Sequence, residues 1–356
     1  MDLLGPAWVA DSPAKLSLEH RLKSINKPEL ELPKPTGCFA IGSSRRLVVD
    51  NKSRPLPARI WYPACQPTVA PLCSFLEPLE VQAVRHRILR NVPTDFLRKI
   101  STHSYEDAAP IPSKFPVLFY VHGLGGLSGT NQVLIEDVVS HGHIVIGLSH
   151  PGDSLVTLYP DKTAIHRVNE PKMGLVARTA WLDQLAQRWA QDITTAIDYF
   201  LSQENSKEPV YASCDFEQRG ILGYSLGGAV ARIVCSDDTA MRFGINIDGT
   251  YYGRAPDAPT ACNFMAIESD LSTHDTESEE LKLHFQRRTA SWKAIGGETT
   301  RIIVSNASHT TFSDFTLVSE YFSEEIGSSI GYRRCSALVN AHVVAFVQEH
   351  FDNAAQ

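Results

Sequence analysis

From residue 116 onward, short uninterrupted apolar runs alternate with stretches whose apolar residues recur at helical spacing. The runs Pro116–Tyr120, Ile144–Leu148, Arg219–Tyr224, Phe243–Ile247, Asn263–Ile267 and Arg301–Val304 are bounded and lack polar alternation. They predict strands buried on both faces. Helices are expected over Gln132–His141, Leu182–Ser202, Ala229–Cys235 and Ser336–Phe351. In the second of these, Leu182, Leu185, Trp189, Ile193, Ile197 and Phe200 share one face, the stripe of a helix laid on a core. Strands alternating with helices predict an α/β fold: a mostly parallel central sheet with helices on both faces.

The chain before residue 116 reads differently. Residues 1–36 carry five prolines among polar residues and are expected to form an N-terminal arm, leaving 37–356 as a single domain. Leu47–Asp50 and Ala58–Pro63 predict an antiparallel pair at a sheet edge, joined by the turn residues 51–57. Residues 66–112 look like an insertion with short amphipathic helices over Val81–Leu89 and Phe96–Ile100; Phe75 and Leu76 fit neither period. The stretch 155–180 mixes aromatic, basic and acidic residues without a strict period and suits a lid.

With 43% hydrophobic and 21% charged residues among 356, the composition supplies a sizeable core. The formal net charge of −7 argues against a nucleic-acid binder and against strong attraction to anionic membranes, though transient contact with a lipid surface remains compatible with it. No apolar run reaches transmembrane length, and Met1–Pro6 lacks the basic end and apolar core of a secretory signal. A cytoplasmic location is expected, although a mature chain cut from a precursor would look the same. Seven cysteines, an odd number without C-x-x-C spacing, point away from a metal site or a disulfide framework and leave one bridge, Cys65–Cys73, to consider. No metal or cofactor is expected, and the sequence is silent on oligomeric state.

The chemistry gathers where predicted strands end, which is where open parallel sheets bind ligands. Gly223-Tyr224-Ser225-Leu226-Gly227 has the form of a nucleophile elbow, in which a sharp strand-to-helix turn exposes one serine while glycines make room around it. Upstream, His122-Gly123-Leu124-Gly125-Gly126 is a glycine-rich turn able to bring backbone N–H groups up to a substrate, so Leu124 and Leu226 are the candidate oxyanion donors. Asp248 follows the next strand and could orient a histidine; Asp270, and less so Glu268, compete for that role one strand later. Each of these acids could instead cap a turn. His309 comes late, after a strand and in a small polar loop, and suits the general base; His122 and His150 read as structural hydrogen-bonders. The order Ser, Asp, His is that of α/β-hydrolases.

These motifs, together with Arg59-Ile60-Trp61-Tyr62-Pro63, Leu148-Ser149-His150-Pro151-Gly152-Asp153-Ser154, Ile245-Asn246-Ile247-Asp248 and Ser308-His309-Thr310-Thr311-Phe312, resemble the plasma and intracellular type II platelet-activating-factor acetylhydrolases. The likeness spans roughly residues 45–350 and is weak in the insertion and in 155–215. It implies the α/β-hydrolase fold and serine esterase chemistry. It also implies a Ser225, Asp248, His309 triad in preference to Asp270, with the oxyanion donors Leu124 and Leu226. Members of that family remove short or oxidised acyl chains from phospholipids, but their substrate-binding segments fall where this chain matches least.

The reading is therefore a cofactor-free carboxylic ester hydrolase acting on a short-chain acyl ester, phospholipid-like or otherwise small. The insertion and the 155–180 segment would wall the pocket, with Phe75, Leu76, Trp181 and Tyr251 as candidates for apolar contact, each equally suited to the core. An acyltransferase, lactonase or cyclase using the same triad is the alternative, and a catalytically silent binding protein is a third reading. The dinucleotide-binding glycine spacing is absent from Gly123–Gly126.

Overall fold

The computed structural model describes residues 30–49, 54–66, 70–203, 206–254, 259–271, 278–323 and 330–352. Most of the expected N-terminal arm, residues 1–29, lies outside them.

Among the described residues ten strands form one sheet: β1 (Ala40–Val48), β2 (Leu56–Ala64), β3 (Leu72–Ser74), β4 (Ser101–Glu106), β5 (Phe115–Val121), β6 (Ile144–Leu148), β9 (Cys214–Tyr224), β10 (Met241–Ile247), β11 (Asn263–Ser269) and β12 (Thr299–Val304). Their order is β12-β11-β10-β9-β5-β6-β2-β1-β4-β3. From β12 to β6 neighbours run parallel, while β2 is antiparallel to β6 and to β1. A two-stranded antiparallel hairpin, β7 (Val156–Leu158) with β8 (Ala164–His166), stands apart. The helices are α1 (Pro78–Arg87), α2 (Thr94–Leu97), α3 (Gln132–Ser140), α4 (Leu175–Ser202), α5 (Pro209–Ala212), α6 (Leu226–Asp237), α7 (Glu279–Ala294), α8 (Asp314–Ser323) and α9 (Tyr332–Asp352).

The strand period of two explains why the central runs are apolar throughout. In β5, Val117, Phe119 and Val121 join one core with the buried faces of α4 and α6, while Leu118 and Tyr120 join another with α3 and α9. Residues of the central strands β5, β6 and β10 are thus covered on both faces, and fully burying a residue such as Ile221 or Ile245 contributes about 1.5–3 kcal/mol. By contrast β12, expected to be covered on both faces, lies at the sheet edge and leaves Ile303 exposed. This three-layer sandwich is the α/β-hydrolase architecture.

Several expectations need correcting. The β1–β2 pair is not at the sheet edge, because β4 pairs parallel with β1 and β3 follows beyond it. The added strands come from the insertion, and their residues, Ser-Thr-His-Ser-Tyr-Glu in β4, carry too little apolar signal for a hydropathy pattern to register. Phe75 and Leu76 are core residues packed with Val81, Val84 and Phe315, not pocket contacts. Helix α4 begins two turns earlier than expected, inside the stretch read as a lid, and that stretch opens with the β7–β8 hairpin. Helices α7 and α8 were not foreseen; the first is rich in charged residues with few apolar positions. All seven cysteines are free, so Cys65 and Cys73 form no bridge; Cys65 is exposed with its thiol toward the Pro110 carbonyl.

Candidate active site

The sheet register lines up the strand ends that carry the reactive groups. Val121 of β5 pairs with Gly223 of β9, and Tyr224 pairs with Ile247 of β10, which pairs with Ile267 of β11. The residues just beyond these ends, in the turn Gly123–Gly126, Ser225 and Asp248, therefore emerge side by side.

Ser225 sits at φ 56°, ψ −123°, a left-handed conformation costly for a residue with a side chain. The turn is held by Ser225 N–H donating to the Ile247 carbonyl (2.8 Å) and Gly228 N–H donating to the Ser225 carbonyl (2.9 Å). Two of its glycines are required by close approach: a Cβ on Gly223 would fall onto the Gly227 carbonyl, and one on Gly227 onto the Val121 carbonyl. Leu226 is the first residue of α6, so its N–H has no partner within the helix and points with the helix dipole toward the serine. The glycine-rich turn presses on the same place, since a Cβ at Gly123 would stand 3.0 Å from the Ser225 Cβ.

Asp248 is also left-handed, at φ 53°. Asn246 braces its turn with both ends of its side-chain amide, accepting from Gly249 N–H (2.8 Å) and donating to the Gly249 carbonyl (3.0 Å). The Asp248 carboxylate makes two divided contacts: Oδ1 accepts from Ser269 N–H (2.6 Å) and Oδ2 meets His309 Nδ1 (2.7 Å). Burial alone would raise its pKa, but the hydrogen bond and charge of His309 and the Ser269 N–H outweigh that and hold the carboxyl below its ordinary value.

His309 opens a short 3-10 turn, His309–Phe312, and its Nε2 lies 3.0 Å from Ser225 Oγ. A charged carboxylate at Nδ1 makes that nitrogen the donor and leaves Nε2 as the acceptor facing the serine hydroxyl. The turn is fixed from several sides. Thr311 Oγ1 accepts from Ser308 N–H (3.0 Å), and Asn131 Nδ2 donates to the Phe312 carbonyl (2.5 Å). Asp314 accepts from Val133 N–H (3.0 Å) and from the Tyr332 hydroxyl (2.5 Å). Tyr224 lies nearly parallel to the imidazole (centroids 5.3 Å, 19°) and donates its hydroxyl to the His309 carbonyl (3.0 Å).

The rival acids are spoken for. Asp270 Oδ2 accepts from Asn306 N–H, and Glu268 pairs with Arg288 and Arg301. His122 contacts the Gly123 carbonyl and Ser154, with burial first and the neighbouring His150 second pushing its pKa down to about 3. His150 stacks on Trp189 and meets Asp192. Two further neighbours escaped sequence reasoning: the buried Asn246, visible only as a polar residue in an apolar strand, and the half-buried His284, whose Nδ1 meets Thr250 Oγ1 (2.6 Å).

A cavity of about 410 Å³ opens onto Ser225 and His309. Its floor is the Gly123–Gly126 turn; its walls come from the insertion (Arg87, Ile88), from Leu155 and Arg167, and from Phe315. Trp181 and Tyr251 do not line it: Tyr251 is buried in the core, and Trp181, on α4, packs half-buried against the same core. Aromatic residues suit a core and a pocket alike, so composition does not separate the two places. Among the described residues no cluster of three or more His, Cys, Asp or Glu side chains could hold a metal ion, and no helix is long and apolar enough to cross a membrane.

The fold is that of the α/β-hydrolases. Comparison with known proteins gives the likeness within that fold. The family model for platelet-activating factor acetylhydrolase, isoform II, matches residues 24–195. Curated proteins named platelet-activating factor acetylhydrolase are similar: the Bos taurus protein is 23% identical over 69% of this chain and 61% of its own length, and that of Cavia porcellus 26% identical over 67% and 58%. The chain thus spans about three fifths of these two relatives. The Canis lupus familiaris protein is 22% identical over 98% of this chain and 84% of its own length. A solved ferulic acid esterase from Streptomyces cinnamoneus superposes with a TM-score of 0.76 at 20% identity, covering 92% of this chain and 94% of that one, a likeness of fold. The chain has the α/β-hydrolase fold and resembles the platelet-activating factor acetylhydrolases.

Proposed function

We propose that the chain is a serine-dependent carboxylic ester hydrolase working through an acyl-enzyme on a short-chain acyl ester. The observation that carries this reading is the unbroken path from Asp248 Oδ2 through His309 to Ser225 Oγ, at 2.7 and 3.0 Å, on the wall of a cavity. Ser225 Oγ attacks the ester carbonyl as His309 Nε2 takes its proton, and the charge gained by the imidazole is stabilised by Asp248. The negative charge arising on the carbonyl oxygen is met by the N–H groups of Leu124 and Leu226; losing one such donor typically costs about 10²- to 10³-fold in rate. His309 then protonates the departing alcohol, leaving the acyl group on Ser225. Water entering the cavity gives a proton to the same nitrogen, attacks the acyl carbonyl, and releases the acid and the free serine. A cavity of about 410 Å³ suits a short acyl chain or a small alcohol rather than two long chains.

The test is hydrolysis of 4-nitrophenyl esters from acetyl to dodecanoyl by the wild type and by Ser225→Ala. The reading requires turnover that declines with chain length and vanishes in the variant. Equal turnover by both proteins refutes it.

A further inference from the structure

The cavity has a charge that the chain as a whole does not. The protein carries 40 acidic against 33 basic residues. Yet the described residues lining the cavity include Arg87, Arg90 and Arg167 together with His86, and no aspartate or glutamate. Resting on the hydrolase reading above, we infer that the ester this site takes bears an anionic group, a carboxylate or a phosphate, within reach of these arginines.

Three observations support the assignment. First, the arginines come from two separate segments, Arg87 and Arg90 from the insertion and Arg167 from the end of the β7–β8 hairpin, and converge on one cavity. Like charges repel, and an arrangement that confines three of them around a partly enclosed space gains by a counter-charge placed between. Burial and the nearby positive charge of Arg87 both act to lower the pKa of Arg167, against the pull of Glu170. Second, acids nearby leave this charge largely uncompensated. Among the described residues neither Arg87 nor Arg90 makes an ion pair. Arg167 reaches Glu170 only at 3.6 Å, and that carboxylate is shared with Arg178 at 2.5 Å. Third, the position is tied to the chemistry. The Arg167 guanidinium lies over the glycine-rich turn: a Cβ added to Gly125 would stand 2.5 Å from its Nη1. An anion held there stands beside Leu124, next to the reacting carbonyl. Planar guanidinium forks recognise carboxylate and phosphate alike, so the shared chemistry is an oxyanion.

The experiment measures kcat/KM for matched esters with 4-acetoxybenzamide as the neutral member and 4-acetoxybenzoate and 4-acetoxyphenyl phosphate as charged ones. Mono-4-nitrophenyl glutarate against 4-nitrophenyl pentanoate places the charge on the acyl half instead. The wild type is expected to prefer at least one charged member by about tenfold or more, as hydrogen bonds to charged groups are worth. That ratio should fall about tenfold in Arg87→Gln/Arg90→Gln and in Arg167→Gln, and should shrink in high salt. Arg85→Gln, on α1 but outside the cavity, keeps the wild-type ratio. The pairs show whether the anion is carboxylate or phosphate and which half carries it. Neutral esters turned over as well as every charged one, or a ratio unmoved by the arginine variants, overturns the inference while the hydrolase reading stands. A wild type that hydrolyses none of them and does not react with a fluorophosphonate loses both.

Discussion

Replacing Asp248 by Asn changes one atom, and the site's geometry turns that change into a large effect. The carboxylate has two acceptor duties: Oδ1 takes the Ser269 N–H at 2.6 Å and Oδ2 takes the His309 N–H at 2.7 Å. An asparagine has one oxygen. The Ser269 donor belongs to the backbone of β11 and cannot turn away, so the amide oxygen stays with it and the NH₂ faces His309 Nδ1. That nitrogen must then accept, the proton moves to Nε2, and the histidine presents a donor to Ser225 where an acceptor is needed. The wrong tautomer in such a triad lowers kcat by about 10⁴-fold, or about 5 kcal/mol in the barrier. Folding stability should fall by only about 1 kcal/mol, the value of one hydrogen bond. The assay is kcat on 4-nitrophenyl acetate beside urea unfolding of the same preparations. A variant that keeps more than about a tenth of the wild-type kcat while Asp270→Asn loses activity would refute the reasoning and move the acid one strand along.

Other expectations follow from neighbouring contacts. Asp314 is pushed up to about 7 by burial, against the hydrogen bonds from Tyr332 and Val133. Its folded pKa exceeds the unfolded value of 3.8, so the stability it contributes is complete below about pH 4 and is lost as pH rises toward 7, by up to about 4 kcal/mol. Denaturation of wild type and Asp314→Asn at pH 4 and pH 8 should show that extra loss in the wild type alone; parallel curves would contradict it. Gly223→Ala drives a Cβ into the Gly227 carbonyl and should cost about 3 kcal/mol or more, read as a drop in Tm with loss of fluorophosphonate labelling. Tyr224→Phe removes the hydroxyl from the His309 carbonyl but keeps the parallel ring, so kcat should fall by about tenfold or less; no change would mean the turn is held by its other contacts.

What could be read in the chain was whatever needed only local rules. Val117 to Val121 had to be a doubly covered strand, and Gly223 to Gly227 had to be a tight turn with one exposed serine, because period and glycine spacing carry that information. Ser225, Asp248 and His309 could be named because each follows a strand; position already favoured Asp248 over Asp270 and the resemblance supported it, and in the fold it is Asp248 that meets His309 Nδ1, at 2.7 Å. The pocket wall was not legible. Phe75, Leu76, Trp181 and Tyr251 are aromatic or apolar, and composition does not tell a core from a cleft. Arg87 and Arg167, by contrast, sit 80 positions apart, the first in a short helix of the insertion and the second in a stretch without a period, and only the fold brings them to one cavity. Polar strands such as β4 are invisible for the same reason: pairing with β1, not hydropathy, makes them strands.

The most direct test of the central claim is to trap the intermediate. The protein is mixed with 4-nitrophenyl acetate, quenched in acid within a turnover, digested, and the peptide around residue 225 weighed. The account predicts an added acetyl group on Ser225 that decays in the wild type, forms far more slowly in His309→Ala, which lacks the base that activates the serine, and is absent from Ser225→Ala. An acetyl group that appears on another residue with the kinetics of turnover, or turnover with no covalent species on Ser225 and full activity in Ser225→Ala, would contradict it.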